Sequence, residues 1–198
     1  SSPVQIGTSS WAQVSAGWSY TYGVTSDGAL FTWGGNSGGQ LGLNDRVDRS
    51  SPVQVGTSSW TKVASGAGYG QFAIRADGGL FAWGNNNQGG LGVGDLTTRS
   101  SPVQEGTDSW TFISAGLTDS SFGIKQNNSL YSWGNNNGGL LGTTRTASTS
   151  SPTFVASIKD SWTVVSAGSS SAMAIRNDNL LFGWGLNTSG QLGTDDIT

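Results

Sequence analysis

Cysteine and histidine are both missing from this 198-residue chain. Without cysteine there are no disulfides and no thiolate nucleophile, and the redox compartment stays open. Without histidine the commonest general base and the usual zinc ligands are gone. Serine is plentiful, but no imidazole stands ready to activate it. Charge is scarce as well: 9 basic and 12 acidic residues make up 11% of the chain. A nucleic-acid binder carries a basic stripe, whereas these basic residues are scattered singly, so no nucleic-acid partner is expected. No segment approaches the 18 or so apolar residues of a membrane-spanning helix, and membrane insertion is not expected. There is no signal-peptide pattern and no initiating Met, which is what a processed chain or an excised segment would show.

One phrase is present four times. WGGNSGGQLG starts at Trp33, WGNNNQGGLG at Trp83, WGNNNGGLLG at Trp133 and WGLNTSGQLG at Trp184. The rest of the unit recurs in phase, with SPV or SPT at Pro3, Pro52, Pro102 and Pro152, and SW at Trp11, Trp60, Trp110 and Trp162. A fixed period near 50 residues marks one supersecondary unit stacked in an array. The array fills the chain as a single repeat domain, 1–198, divided into 1–49, 50–99, 100–149 and 150–198.

Within a unit the pattern is β. WTKVA from Trp60 alternates apolar and polar residues, QFAIR ends at Arg75, and Leu80 to Trp83 returns after a turn. Asp77-Gly78 suits the positive φ of a tight hairpin, as do Asp27-Gly28, Asn127-Asn128 and Asp178-Asn179. Pro102 to Glu105, from the following unit, supplies a fourth strand. No stretch has a 3.6-residue apolar period, and the aromatic content argues against disorder. Across units, Tyr22, Phe72, Phe122 and Met173 share one column beside Gly23, Ala73, Gly123 and Ala174. Large beside small, in register, predicts sheets that interlock face to face. Leu30, Leu80, Leu130 and Leu181 form another column, and Leu41, Leu91, Leu141 and Leu192 anchor the glycine-rich loop. Four antiparallel strands per unit without helix describe an all-β propeller blade.

The phrases SPVQVG, W-x-x-V-S-A-G, A-I-x-x-D-G-x-L and WG-x-N-x-x-GQLG resemble repeats of the regulator of chromosome condensation family. The resemblance covers the whole chain and implies seven-bladed β-propellers, of which four blades are visible here. The kelch repeat has a similar period, but its paired glycines precede its aromatics. Two departures stand out. The histidine usual before the second strand is replaced by Tyr20, Gly70, Ser120 and Ser171. Four blades are also fewer than seven, so a longer array, a second chain or a tighter closure has to deal with the edges.

Candidate site residues are few. Trp18 has no tryptophan counterpart in other units and, with Tyr20, lies in an aromatic loop suited to contact. Asp45, Asp95 and Asp196 recur near one loop position, where Arg145 stands in the third unit. They read mainly as turn supports, with hard-cation binding as the lesser reading. Asp45 with Asp48, and Asp195 with Asp196, are the carboxylate pairs a hydrolase would need. Trp33, Trp83, Trp133 and Trp184 read as blade core, and Asn36, Asn86, Asn136 and Asn187 as loop braces. No catalytic residue, metal site or cofactor is expected. The expectation is a non-enzymatic binding or structural module on a virus particle or microbial cell surface, extracellular, contacting structural subunits, a host-surface protein or a glycan. It would work as an oligomer or within a longer array. The family resemblance implies an alternative, guanine-nucleotide exchange on a small GTPase.

Overall fold

The computed structural model describes residues 2–66, 70–155 and 161–197. It is all-β, built of antiparallel sheets. Strands β1 (Trp11–Ala16), β2 (Tyr20–Thr25), β3 (Leu30–Gly34) and β4 (Arg49–Gln54) pair antiparallel in that order. The second blade uses β5 (Trp60–Ser65), β6 (Gly70–Arg75), β7 (Gly79–Gly84) and the first half of β8 (Arg99–Ala115). The second half of β8 opens the third blade and pairs with β9 (Ser120–Lys125), followed by β10 (Leu130–Gly134) and β11 (Thr149–Phe154). The last blade holds β12 (Trp162–Ala167), β13 (Ser171–Arg176) and β14 (Leu181–Gly185). Each complete sheet therefore takes its fourth strand from the next sequence unit, as the placement of Pro102–Glu105 anticipates.

The hairpins between second and third strands turn on left-handed residues, Gly28 and Gly78 at φ 90° and 89°, and Asn128 and Asn179 at 63° and 66°. These residue types tolerate that backbone at little cost.

Alternation sends each sheet's side chains to two faces. Tyr22, Val24 and Leu30 point to the trailing face, toward the next blade. Val14, Gly23, Phe31 and Trp33 point to the leading face, since Val14 pairs with Gly23 and Gly23 with Phe31. The small column has a reason inside the blade: a Cβ on Gly23 would lie 2.5 Å from the Trp11 ring, and on Gly123 2.5 Å from Trp110. The opening tryptophan lies across its own second strand.

Between blades the contact is repeated three times. Trp83 Nε1 donates to the Gln40 carbonyl, Trp133 Nε1 to Gly90 and Trp184 Nε1 to Leu140, at 2.6, 2.8 and 2.8 Å. The same indoles meet Tyr22, Phe72 and Phe122 at centroid distances of 5.9 Å. Gly42, Gly92 and Gly142 are required here for two reasons. All have positive φ, and a Cβ would come within 3.0, 2.7 and 2.7 Å of the indole nitrogen of the next blade. The inner strands are tied by side chains, with Gln13 bonding both backbone groups of Val63 and Ser15 accepting from Ser65 N.

Candidate interaction face

In an antiparallel sheet the loops after first and third strands leave from the same end. That end carries Trp18, the long Trp-Gly loops and the candidate acids Asp45, Asp48, Asp95, Asp195 and Asp196. The long loop is organised by its asparagine. Asn36 Oδ1 accepts from Leu41 N, and its Nδ2 donates to Asp45 and to the Val47 carbonyl. Asn86, Asn136 and Asn187 make the equivalent bonds to Leu91, Leu141 and Leu192. All four are buried, so the side chain replaces backbone partners that a compact loop lacks.

The loop acids belong to this brace. Asp45 accepts from Val47 N and Asn36 through Oδ1 and pairs with Arg49 through Oδ2 at 2.5 Å. Asp95 repeats this with Thr97 N, Asn86 and Arg99. Backbone donors first, then the arginine, hold the Asp45 carboxyl below its ordinary range; the same groups lower Asp95. Asp196 accepts from Asn187 and from the Thr194 hydroxyl. In the third blade Asn136 keeps the bond to the Arg145 backbone carbonyl that its counterparts make to the carbonyls of Asp45, Asp95 and Asp196, so the loop closes without a carboxylate. Asp48, the proposed companion of Asp45, caps Asn36 N instead. Among the described residues no three acidic groups converge to hold a metal ion.

Trp18 is 87% exposed. Tyr20 is not, and here the expectation of a shared aromatic contact needs correcting. Tyr20 is buried, its hydroxyl donates to the Gly66 carbonyl of the next blade at 2.7 Å and accepts from Gln71. The strand boundary explains the split: Tyr20 opens β2 and turns inward on the same face as Tyr22, while Trp18 lies in the loop before it, outside the strand. The sequence reading missed Leu117, which follows Ser-Ala-Gly as Trp18 does and is also exposed. Aligning on that tripeptide would have found it. Val47, Leu96, Leu186 and Ile197 are exposed in the long loops of the same end, whereas at the opposite hairpin turns Leu180 is the exposed large apolar side chain among the described residues. Nearby, Asp119 has a buried Oδ1 with no partner, and burial pushes its carboxyl up to about 6.

Comparison with known proteins agrees with this architecture. The model of the regulator of chromosome condensation (RCC1) repeat matches residues 27–70, 77–117 and 127–175, and a second model of that repeat matches 11–40 and 162–191. The structure of human WBSCR16 superposes with a TM-score of 0.84 at 25% identity, covering 98% of this chain and 52% of that one. Prp20p from Saccharomyces cerevisiae gives 0.84 at 21% identity, covering 97% and 49%. The human probable E3 ubiquitin-protein ligase HERC3 is 50% identical over 38 residues, 19% of this chain and 4% of its own length. The chain thus spans about half the length of the solved structures it matches and a small part of HERC3.

Proposed function

Since the chain belongs to the regulator of chromosome condensation (RCC1) repeat family, we propose that it is a non-enzymatic binding module whose contact surface is the loop end of the propeller. One observation carries this reading: exposed large apolar side chains gather at that end, around Trp18 and Leu117. An exposed indole on a braced loop buries much area on contact and loses few rotors. The yeast protein Prp20p, of the same fold, offers a parallel in its binding to Gsp1p and histones. The surface of Ser, Thr, Asn and Gly, with a net charge of −3, suits display on a virus particle or microbial cell surface, facing structural subunits, a host protein or a glycan.

The test is capture by the immobilised chain from candidate surface-protein and glycan arrays, repeated with Trp18→Ser and Leu117→Ser together. Both side chains are exposed, so thermal stability should hold while capture falls at least about tenfold. Binding that survives both changes, or no ligand at all, defeats the proposal. A second reading, nucleotide exchange on a small GTPase, draws on the family; accelerated nucleotide release in a GTPase panel would favour it instead.

A further inference from the structure

Between the outer strands of the first and second blades lies an open hollow of about 400 Å³, lined by Val55, Trp60, Phe81 and Pro102. Both blades are complete, with four strands each, so the chain itself builds both walls. The hollow holds a donor without an acceptor. Trp60 is 5% exposed, and its Nε1 is buried with no hydrogen-bond partner among the described residues. A buried N–H left unpaired is rare in a folded protein and marks a place where something else can bind.

The third blade shows what the second lacks. There the counterpart indole, Trp110 Nε1, donates to the Glu105 carboxylate at 3.1 Å, and residue 105 is the counterpart of Val55. The two indoles are oriented alike, meeting Phe81 and Tyr131 edge to face at 5.2 and 5.8 Å. The unpaired N–H of Trp60 is therefore aimed at the position of Val55, which lines the hollow. In the third blade Lys125 completes the closure, with its Nζ 3.8 Å from the Tyr131 centroid and 2.6 Å from Asp108. In the second blade Val55 and Ser58 replace both acids, and the cation Arg75 is held by Asp77 at 2.6 Å. No charged residue lines the hollow.

We propose that this hollow binds an uncharged N-acetylated sugar, whose acetamido carbonyl accepts from Trp60 Nε1 while its methyl group packs on Val55 and Phe81. A lone indole N–H among apolar walls favours a neutral acceptor, because a carboxylate would lose its hydration without gaining a cation. Glu105 illustrates the cost: burial pushes its carboxyl above the ordinary range even with Lys125 nearby. The mouth favours a polyol over a wholly apolar ligand. Around it stand the amides of Asn44 and Gln54 and the hydroxyls of Ser58 and Ser101, each able to donate and to accept. The volume falls within the range that small-ligand sites occupy. Trp18 and Leu117 take no part, so this site stands whether or not the loop end binds anything.

The indole N–H of Trp60 is itself the reporter. In a heteronuclear NMR spectrum it is the indole signal that Trp60→Phe removes. N-acetylglucosamine should move that signal downfield and saturably, with a Kd on the order of 1 mM. Glucose, which lacks the acetamido group, should bind at least about tenfold more weakly, and so should N-acetylalanine methylamide, which has the carbonyl without the hydroxyls. Val55→Glu transplants the acceptor of the third blade. It should shift the indole signal with no sugar present and weaken sugar binding at least about tenfold. Gln54→Ala with Ser58→Ala alters only exposed side chains, so the fold should hold by circular dichroism while binding weakens about threefold to tenfold. An indole signal unmoved by the sugar at about 50 mM, an equal response to glucose or to the amide, or undiminished binding in either variant would each overturn the proposal.

Discussion

Asp119 shows how a single side chain can work against the fold that holds it. It follows the loop apex in left-handed backbone at φ 60°, and its carbonyl accepts from Asn135 N, anchoring the Trp-Gly loop. The backbone is useful, but the buried carboxylate oxygen has no donor. A pKa of about 6, against an ordinary 3.8, means that the folded state prefers the protonated acid. The stabilising contribution is therefore complete below about pH 4 and lost as pH rises through 6. Asp119→Asn keeps the left-handed preference and removes the charge, so it should stabilise by about 1–3 kcal/mol at pH 7.5 and by little at pH 4. Chemical denaturation at the two pH values decides it; equal effects at both would show that desolvation is not the cause. The surface acids act in the opposite sense. Asp77 is lowered to about 2 by Arg75 and by Gly79 N, and its support fades only as pH falls from about 4 toward 2. Residue type alone could not separate these cases. Asp77 announces itself by preceding a hairpin glycine, whereas the fate of Asp119 depends on how deeply neighbouring blades bury its loop. Tyr20 was illegible for the same reason: its hydroxyl is satisfied by Gly66, 46 positions away, across a blade boundary.

At the scale of the element, the glycine-rich loop and the indole it receives form one device. Gly92 and Gly193 have nearly the same backbone, φ 76° and 68°, but only Gly92 has a neighbour's tryptophan against it. Gly193→Ala should cost only the left-handed penalty, about 1–2 kcal/mol. Gly92→Ala pays that and must also displace Trp133 from 2.7 Å, breaking its bond to Gly90, so the total should reach about 3–5 kcal/mol. Urea midpoints of the two variants measure the difference, and equal losses would deny the glycine its role at the blade boundary. Strands, turns and the borrowed fourth strand were readable because alternation and Asp-Gly or Asn-Asn pairs are local signals. The direction of each column was not, since a repeat shows that a position is buried without showing which neighbour buries it. The leucine column makes this plain: four identical residues were read alike, and three are buried while Leu181 is exposed. Leu80→Ala should accordingly cost about 2–5 kcal/mol and Leu181→Ala under about 0.5 kcal/mol, by the same measurement.

For the whole molecule, stability is distributed as in other arrays, as a sum of blade terms and nearest-neighbour interfaces. The middle blades have two interfaces and the end blades one. Trp133 stands at the central interface, fully buried, against Phe72 in one blade and Trp110 in its own. Trp33 holds the same position in the first blade, but one side of it is open. Trp133→Ala should therefore remove about 3–5 kcal/mol and weaken the link between the first and second pairs of blades. Trp33→Ala removes less, because the indole already borders an open hollow where its counterparts meet a preceding blade. Cooperativity separates the two more sharply than the midpoint does. With the central interface broken, the two halves should melt as separate units, and the calorimetric enthalpy should exceed the van't Hoff enthalpy. Losing Trp33 at the rim lowers the midpoint without splitting the transition. If Trp133→Ala still melts in one step, the blades are coupled through the continuous strand β8 rather than through side chains packed between sheets. That strand joins second and third blades without a break from Arg99 to Ala115, and so supplies the only covalent route by which such coupling could pass.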